Sequence, residues 1–439
     1  MSRRRMLSGI VAAAAMAASV LLAGAATPPA DTPTPTPKPT VEKPADPIRA
    51  AEYWLDGARV EEAWKTSRGE GVTIAVIDTG IAQGPVEFRD AVVSGTDVSG
   101  TGSEDGRTPV GTIDINHGSW VASLAASRGA EDGTGMIGVA PAADLLSISV
   151  NFGASASVPF TEQVANAMRW AVDNGADIIN LSFTTNTLDW DRSWDDAFLY
   201  AFQHDVVVVV AAGNRGNGTS IVGAPATIPG VLTVGGVNQH GEASVEASTQ
   251  GITIGISAPS EGLLGVSADG RVAEWDGTSG AAPIVAGVAA LVKSAHPDLS
   301  AGNIINRILK TAIPVEGVDR VPDPLYGYGL IDANAAVTAS VAQVDADPAA
   351  DLEEWIRVYR RAETAPQPTP TVGPVSVEPL PAADPPTEAG SPLLPSAQTL
   401  LYGTLPLIVL TVPGILVALG VTAAARRIRT ARAQRTPAP

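Results

Sequence analysis

Between Glu52 and about Ser340 the chain alternates short aliphatic runs with longer segments of helical spacing. Val72-Thr73-Ile74-Ala75-Val76-Ile77 is one such run, ended by Asp78. Leu145 to Val150, Ile178 to Leu181 and Val206 to Val210 repeat it, the last closed by Ala211-Ala212-Gly213-Asn214. Short, nearly unbroken apolar runs bounded by turn residues read as strands buried on both faces. Phe160 to Asn174 and Ser193 to His204 carry helical spacing between them. Strands separated by helices imply βαβ units, hence an α/β fold with a mainly parallel sheet. Ligands of such sheets sit outside the carboxyl ends of the strands, which places Asp78 and Asn214 where chemistry is expected.

The flanks follow other patterns. Ser2-Arg3-Arg4-Arg5, an alanine-rich apolar run and Ala23-Gly24-Ala25 make a signal peptide over residues 1–26. A Pro/Thr-rich extension is expected over 27–50 and the folded domain over 51–340. Residues 341–398 read as a linker, with one short charged helix from Asp351 to Arg361 and a Pro-rich stalk from Ala365 to Pro395. Residues 399–425 form an uncharged apolar stretch containing Pro406 and Pro413, enough to span a bilayer. Arg426, Arg427, Arg429, Arg432 and Arg435 follow, so the 426–439 tail is expected in the cytoplasm and the body outside it.

Composition narrows the chemistry. The 28 Lys+Arg against 46 Asp+Glu give a formal net charge of -18, which argues against nucleic acid as a partner. With no cysteine there are no disulfides, thiolate metal sites or cysteine nucleophiles. Only 4 histidines are present, so imidazole chemistry has few candidates.

Three segments carry candidate chemistry. Ile77-Asp78-Thr79-Gly80 contains the Asp-Thr-Gly of aspartic proteases, but those need two carboxylates sharing a proton, and no second copy occurs. His117 opens a run of small and apolar residues through Ala126 that reads as a buried helix; His204, His240 and His296 have no such context. Gly277-Thr278-Ser279-Gly280-Ala281-Ala282-Pro283 leads into a helix apolar nearly all round. A serine there gains from free backbone N–H groups and the helix dipole, although Ser also favours that position simply as a cap.

Asp, His and Ser in this order, each among small residues, resemble the subtilisin arrangement. Gly138-Val139-Ala140-Pro141, Ala176-Asp177-Ile178-Ile179-Asn180-Leu181-Ser182, Ala212-Gly213-Asn214 and Tyr328-Gly329-Leu330-Ile331-Asp332-Ala333 extend the resemblance over the whole catalytic domain. The flanks and Trp54-Leu55…Ala63-Trp64 resemble the mycosins, membrane-anchored subtilases of actinobacterial type VII secretion systems, from which the lack of cysteines departs.

The resemblance implies a subtilisin-like three-layer fold and a serine endopeptidase. Ser279 would be the nucleophile, His117 the general base and then acid, Asp78 the carboxylate that orients it, and Asn214 the oxyanion-hole donor. Ser182, Phe183, Thr184 and Thr185 would line the substrate site, where larger side chains than usual narrow the primary pocket. Arg215 is expected at the pocket mouth, where it would favour an acidic or polar substrate side chain. Trp120 and Gly280 depart from the family pattern as a packing change and a looser turn. No cofactor is expected; calcium is considered at Glu104-Asp105 and at Asp189…Asp191. The partners are a protein or peptide substrate and type VII membrane components, and the short N-terminal extension is expected to wrap the body without plugging the cleft. A scaffold role, in which proteolysis is dispensable, is the alternative.

Overall fold

The computed structural model describes residues 46–112, 114–152, 156–360 and 400–433. The expected signal peptide, the extension up to residue 45, the Pro-rich stalk and the tail beyond residue 433 lie outside the described residues. The chain divides into two compact units, Met1–Thr364 and Ala365–Pro439.

In the first unit seven strands form one sheet in the order β2-β3-β1-β4-β5-β6-β7. They are β1 (Thr73–Asp78), β2 (Val92–Asp97), β3 (Asp144–Ser149), β4 (Ile178–Leu181), β5 (Val207–Ala211), β6 (Leu232–Val237) and β7 (Ile254–Pro259). Every neighbouring pair runs parallel. Side chains alternate across the pleat, so β1 sends Ile74 and Val76 to one core and Ala75 and Ile77 to the other. The helices His117–Ala126 and Thr278–Ala295 cover the first face, and Phe160–Asp173 and Arg192–Gln203 the second. The result is the expected three-layer α/β fold. A hairpin, β8 (Leu263–Val266) with β9 (Val272–Trp275), lies on the His117–Ala126 helix.

The site follows from the strand order. β1 sits between β3 and β4, and the chain leaves it first toward β2 and β3 and later toward β4, so a crevice opens at the carboxyl end of β1. Asp78 ends β1, Ser182 directly follows β4, and Asn214 lies three residues beyond β5.

Two boundaries differ from the sequence reading. The segment expected to start a linker at 341 folds back as the Pro348–Tyr359 helix, with Leu352 fully buried. Trp355 stacks on Trp190 at 4.2 Å between centroids, and Arg360 Nε donates to Asp195 at 2.9 Å. Apolar residues at 349, 352 and 356 give this charged helix one sticky face, which outweighs its linker-like composition. At the other end, the Asp46 carboxylate accepts from Gly135 N–H at 2.6 Å and the Glu52 carboxylate from Ile137 N–H at 2.7 Å, so the described start of the chain lies on the body.

In the second unit, Leu405–Ala433 is one helix containing Pro413, preceded by a π-helical turn at Leu400–Thr404. At 1.5 Å per residue it is about 44 Å long, against about 30 Å of bilayer hydrocarbon. Thr278–Ala295 also has the length and apolarity of a span, but it is the core helix of the body, 78% buried.

Candidate active site

Asp78 is fully buried and reaches His117 with both oxygens, at 2.8 and 2.9 Å from Nδ1. Its Oδ1 also accepts from Thr79 N–H at 2.7 Å. The Thr79 hydroxyl accepts from Gly118 N–H and donates to the Ile115 carbonyl, tying the end of β1 to the start of the histidine helix. That contact requires glycine at 118, where a Cβ would fall 2.6 Å from the Gly80 carbonyl oxygen. Burial of the imidazole opposes its charged form, but the charge and hydrogen bond of Asp78, helped by Asp114, outweigh it and raise the His117 pKa.

Ser279 is the second residue of the Thr278–Ala295 helix, so its N–H has no acceptor within the helix. Its hydroxyl donates to the Ser182 carbonyl at 2.9 Å, while the Ser182 hydroxyl donates to the Ser279 carbonyl at 2.8 Å. Asn180 Nδ2 in turn donates to Ser182 Oγ at 2.8 Å. The serine hydroxyl is thus parked on Ser182, and among the described residues it makes no hydrogen bond to His117.

Asn214 is oriented by two donors. The N–H and hydroxyl of Thr278 both donate to its Oδ1, at 2.8 and 2.9 Å, so Nδ2 is the end left for the cleft. Gly213 N–H donates to the same Thr278 hydroxyl at 2.9 Å. Thr278 is therefore a positioning residue that the sequence reading missed. Its only signal was adjacency to Ser279 in the Gly-Thr-Ser run.

Two cavities adjoin the site, one at His117 and one at Ser279. One, of about 310 Å³, is lined by His117, Ser182, Phe183 and Phe152 among others. The second, of about 290 Å³, is lined by Phe183, Thr184, Asn214 and Ser279 among others. Phe183 is the shared wall, held by edge contacts with Phe152 and Phe160 at 5.5 and 5.3 Å. Thr185 lines neither cavity, and its hydroxyl pairs with that of Thr187 at 3.0 Å. Arg215 turns away from both, because its guanidinium donates to the carbonyls of Val245 and Ser244 at 2.7 and 2.8 Å. The expected preference for acidic side chains loses its physical basis with that orientation.

The family departures are closely packed. Trp120 Nε1 donates to Ser267 Oγ at 2.9 Å and its ring lies 5.6 Å from Trp275. Trp275 stands edge-on to His117 at 5.6 Å. The turn at Gly280 is not loose, since a Cβ there would fall 2.3 Å from Leu263. In the acidic stretches considered for calcium, one carboxylate oxygen each of Asp105 and Asp191 is engaged within the protein. Asp105 Oδ1 accepts from Ser103 and Arg107, and Asp191 Oδ1 caps the Arg192–Gln203 helix through Ser193. Among the described residues no group of three or more His, Asp or Glu converges to hold a metal.

Comparison with known proteins places this geometry. Residues 69–329 match the Subtilase family. Mycosin-4 of Mycobacterium tuberculosis is 32% identical over 361 residues, covering 72% of this chain and 76% of that protein. The thermostable alkaline protease of Halalkalibacterium halodurans is 35% identical over 269 residues, 61% of this chain and 68% of that one. The solved structure of MycP3 protease from the type VII (ESX-3) secretion system superposes with a TM-score of 0.56 at 33% identity, covering 66% of this chain and 88% of that one. The chain belongs to the subtilase family. It is a subtilisin-like serine endopeptidase related to the mycosins.

Proposed function

We propose that the protein is a membrane-anchored, extracytoplasmic endopeptidase that works through Ser279, His117 and Asp78, in association with a type VII secretion system. The observation that carries the catalytic part is the two-oxygen grip of Asp78 on His117 Nδ1. It fixes the tautomer that leaves Nε2 free as a base and steadies the imidazolium. On substrate binding the Ser279 hydroxyl leaves the Ser182 carbonyl and turns to Nε2. Its proton passes to His117 as Oγ bonds to the scissile carbonyl carbon. The carbonyl oxygen takes the negative charge between Asn214 Nδ2 and Ser279 N–H. Collapse breaks the C–N bond, and His117 returns the proton to the departing amine. Water then repeats the sequence on the acyl-enzyme.

Ser182, Phe183 and Thr184 follow β4 and would pair with an extended substrate as an added strand. Anchoring is supported by the apolar helix Leu405–Ala433 and by the arginines at its end, which favour a cytoplasmic tail. The type VII association rests on the mycosin relatives. The N-terminal extension would lie along the body, as Asp46 and Glu52 do, and leave the cleft open.

A fluorophosphonate probe tests the reading. It should label the full-length protein at Ser279 and fail to label Ser279→Ala or His117→Ala. No labelling of the folded wild-type protein would refute it. Complementing a deletion strain with Ser279→Ala separates the two roles, because restored secretion would mean a scaffold.

A further inference from the structure

A third cavity, of about 410 Å³, continues the cleft beyond Asn214. The three cavities are ordered by the residues they share. The His117 cavity meets the Ser279 cavity at Phe183, and the Ser279 cavity meets the third at Asn214 and Asn217. The third therefore lies across the oxyanion donor from Ser182 and Phe183, on the side where the departing half of a cleaved peptide would sit.

Its lining carries Glu246, Glu261 and Asp276 and no basic side chain. The three come from separate segments; hydrogen bonds hold the carboxylates of Asp276 and Glu261, while Glu246 is held by its backbone. Gly262 N–H donates to Asp276 Oδ1 at 2.6 Å, the Ser244 hydroxyl donates to Glu261 Oε1 at 2.5 Å, and Gly216 N–H donates to the Glu246 carbonyl at 2.9 Å. Arg215, the nearest cation in sequence, fastens the Ser244–Val245 backbone and so positions Glu246 from outside the cavity. Among the described residues none of the three carboxylates is in an ion pair. They also belong to no group that could hold a metal. Burial and the charges of Glu261 and Asp276 raise the pKa of neighbouring Tyr53, as expected beside uncompensated negative charge.

We infer that this cavity is the leaving-group subsite and that Glu246, Glu261 and Asp276 select substrates with a lysine or arginine within the first two residues after the cleaved bond. The inference rests on the protease reading, and it names the substrate class for the same site. A cationic side chain entering there meets three carboxylates without a counter-ion, whereas an acidic one is repelled.

The test uses full-length protein in detergent and internally quenched peptides that differ only in the two residues after the scissile bond. Lysine should exceed glutamate in kcat/KM by about tenfold, the order given by two or three partly exposed charge pairs, and the ratio should shrink with added salt. The Glu246→Gln/Asp276→Asn variant, which keeps only Glu261, should cut the ratio to about twofold. A wild-type ratio near one, or a ratio unchanged in the variant, overturns the inference. A peptidyl coumarin amide, which has no residues after the bond, reports the chemistry alone: turnover there without a lysine preference sinks this inference and leaves the protease reading standing. Binding of the same peptides to Ser279→Ala protein, followed by fluorescence anisotropy, reads the preference without turnover, and equal affinity for lysine and glutamate peptides would overturn it as well.

Discussion

The hydroxyl of Ser182 supplies to the carbonyl of Ser279 the hydrogen bond that Pro283 has no N–H to give. In a regular helix the carbonyl of residue 279 would accept from the N–H of residue 283, but proline has none. Ser182 Oγ stands in at 2.8 Å, and the Ser279 hydroxyl answers by donating to the Ser182 carbonyl at 2.9 Å. One proline thus ties the backbone at Ser279 to the segment after β4 that would carry the substrate.

Removing the Ser182 hydroxyl strands that carbonyl. Ser182→Ala should destabilise the protein by about 1–3 kcal/mol, the cost of an unmet buried group, and lower kcat about tenfold through a displaced Ser279. Pro283→Ala restores a native N–H, so Ser182→Ala should cost about 1 kcal/mol less in that background. Denaturant melts of the four proteins of this cycle measure the difference. Strictly additive effects would show that Pro283 and Ser182 are not coupled.

Gly277 bears on the proposed oxyanion site. Its φ is +147°, and a Cβ would lie 2.9 Å from Asn214 Nδ2. Gly277→Ala should therefore push the amide out of place while leaving Asp78 and His117 untouched. Loss of the asparagine donor costs about 10²–10³ in kcat in subtilisin, a family relative, and we carry that value over. Gly277→Ala should approach the loss seen in Asn214→Ala, and the double variant should be little worse than either single one. A multiplicative loss in kcat would mean that Gly277 acts elsewhere.

The pH profile follows from the raised pKa of His117. A general base must be neutral, and a raised pKa keeps the imidazole protonated to higher pH. The acidic limb of kcat/KM should therefore lie above about 6.5, the ordinary histidine value. Asp78→Asn removes the charge that raises it and the acceptor that fixes the tautomer. The limb should move down and kcat fall by about 10⁴. A limb that stays put in Asp78→Asn would assign it to another group.

Much of this was legible in the sequence, and the gaps have physical causes. Strands β1, β3, β4 and β5 announce themselves as unbroken apolar runs because helices cover both of their faces. β2 is a half-exposed edge strand with Ser94 and Gly95, and so carries no such run. β6 contains Gly235 and Gly236, required because Cβ atoms there would meet Ser257 and Ser260 at 2.7 and 2.3 Å; close packing erased the apolar signal. Asp78, His117 and Ser279 stood out as candidates because each sits among the small residues that tight backbone approach demands. Arg215 was misplaced because adjacency to Asn214 says nothing of direction, and the turn Arg215–Asn217 swings its side chain outward. The carboxylates of the third cavity were invisible because residues 246, 261 and 276 meet only in the fold.

Glu52 gives a stability prediction with a definite sign. Its side chain is fully buried; Oε1 accepts from Ile137 N–H, while the buried Oε2 has no hydrogen-bond partner and lies 3.8 Å from Arg49. Burial pushes its pKa up to about 8, against the lowering effects of the Ile137 hydrogen bond and Arg49. The native state therefore holds the proton more tightly than the unfolded chain, whose glutamate titrates near 4.3. Stability is greatest below that lower value and declines as pH rises from about 4.3 through about 8. Glu52→Gln keeps an acceptor for Ile137 and removes the titration. The variant should be more stable than the wild type at pH 8, lose that advantage toward pH 5, and show a flatter dependence of Tm on pH. Thermal melts of both proteins across this range decide the matter: parallel curves would mean that Glu52 is not the titrating group that weakens the N-terminal contact.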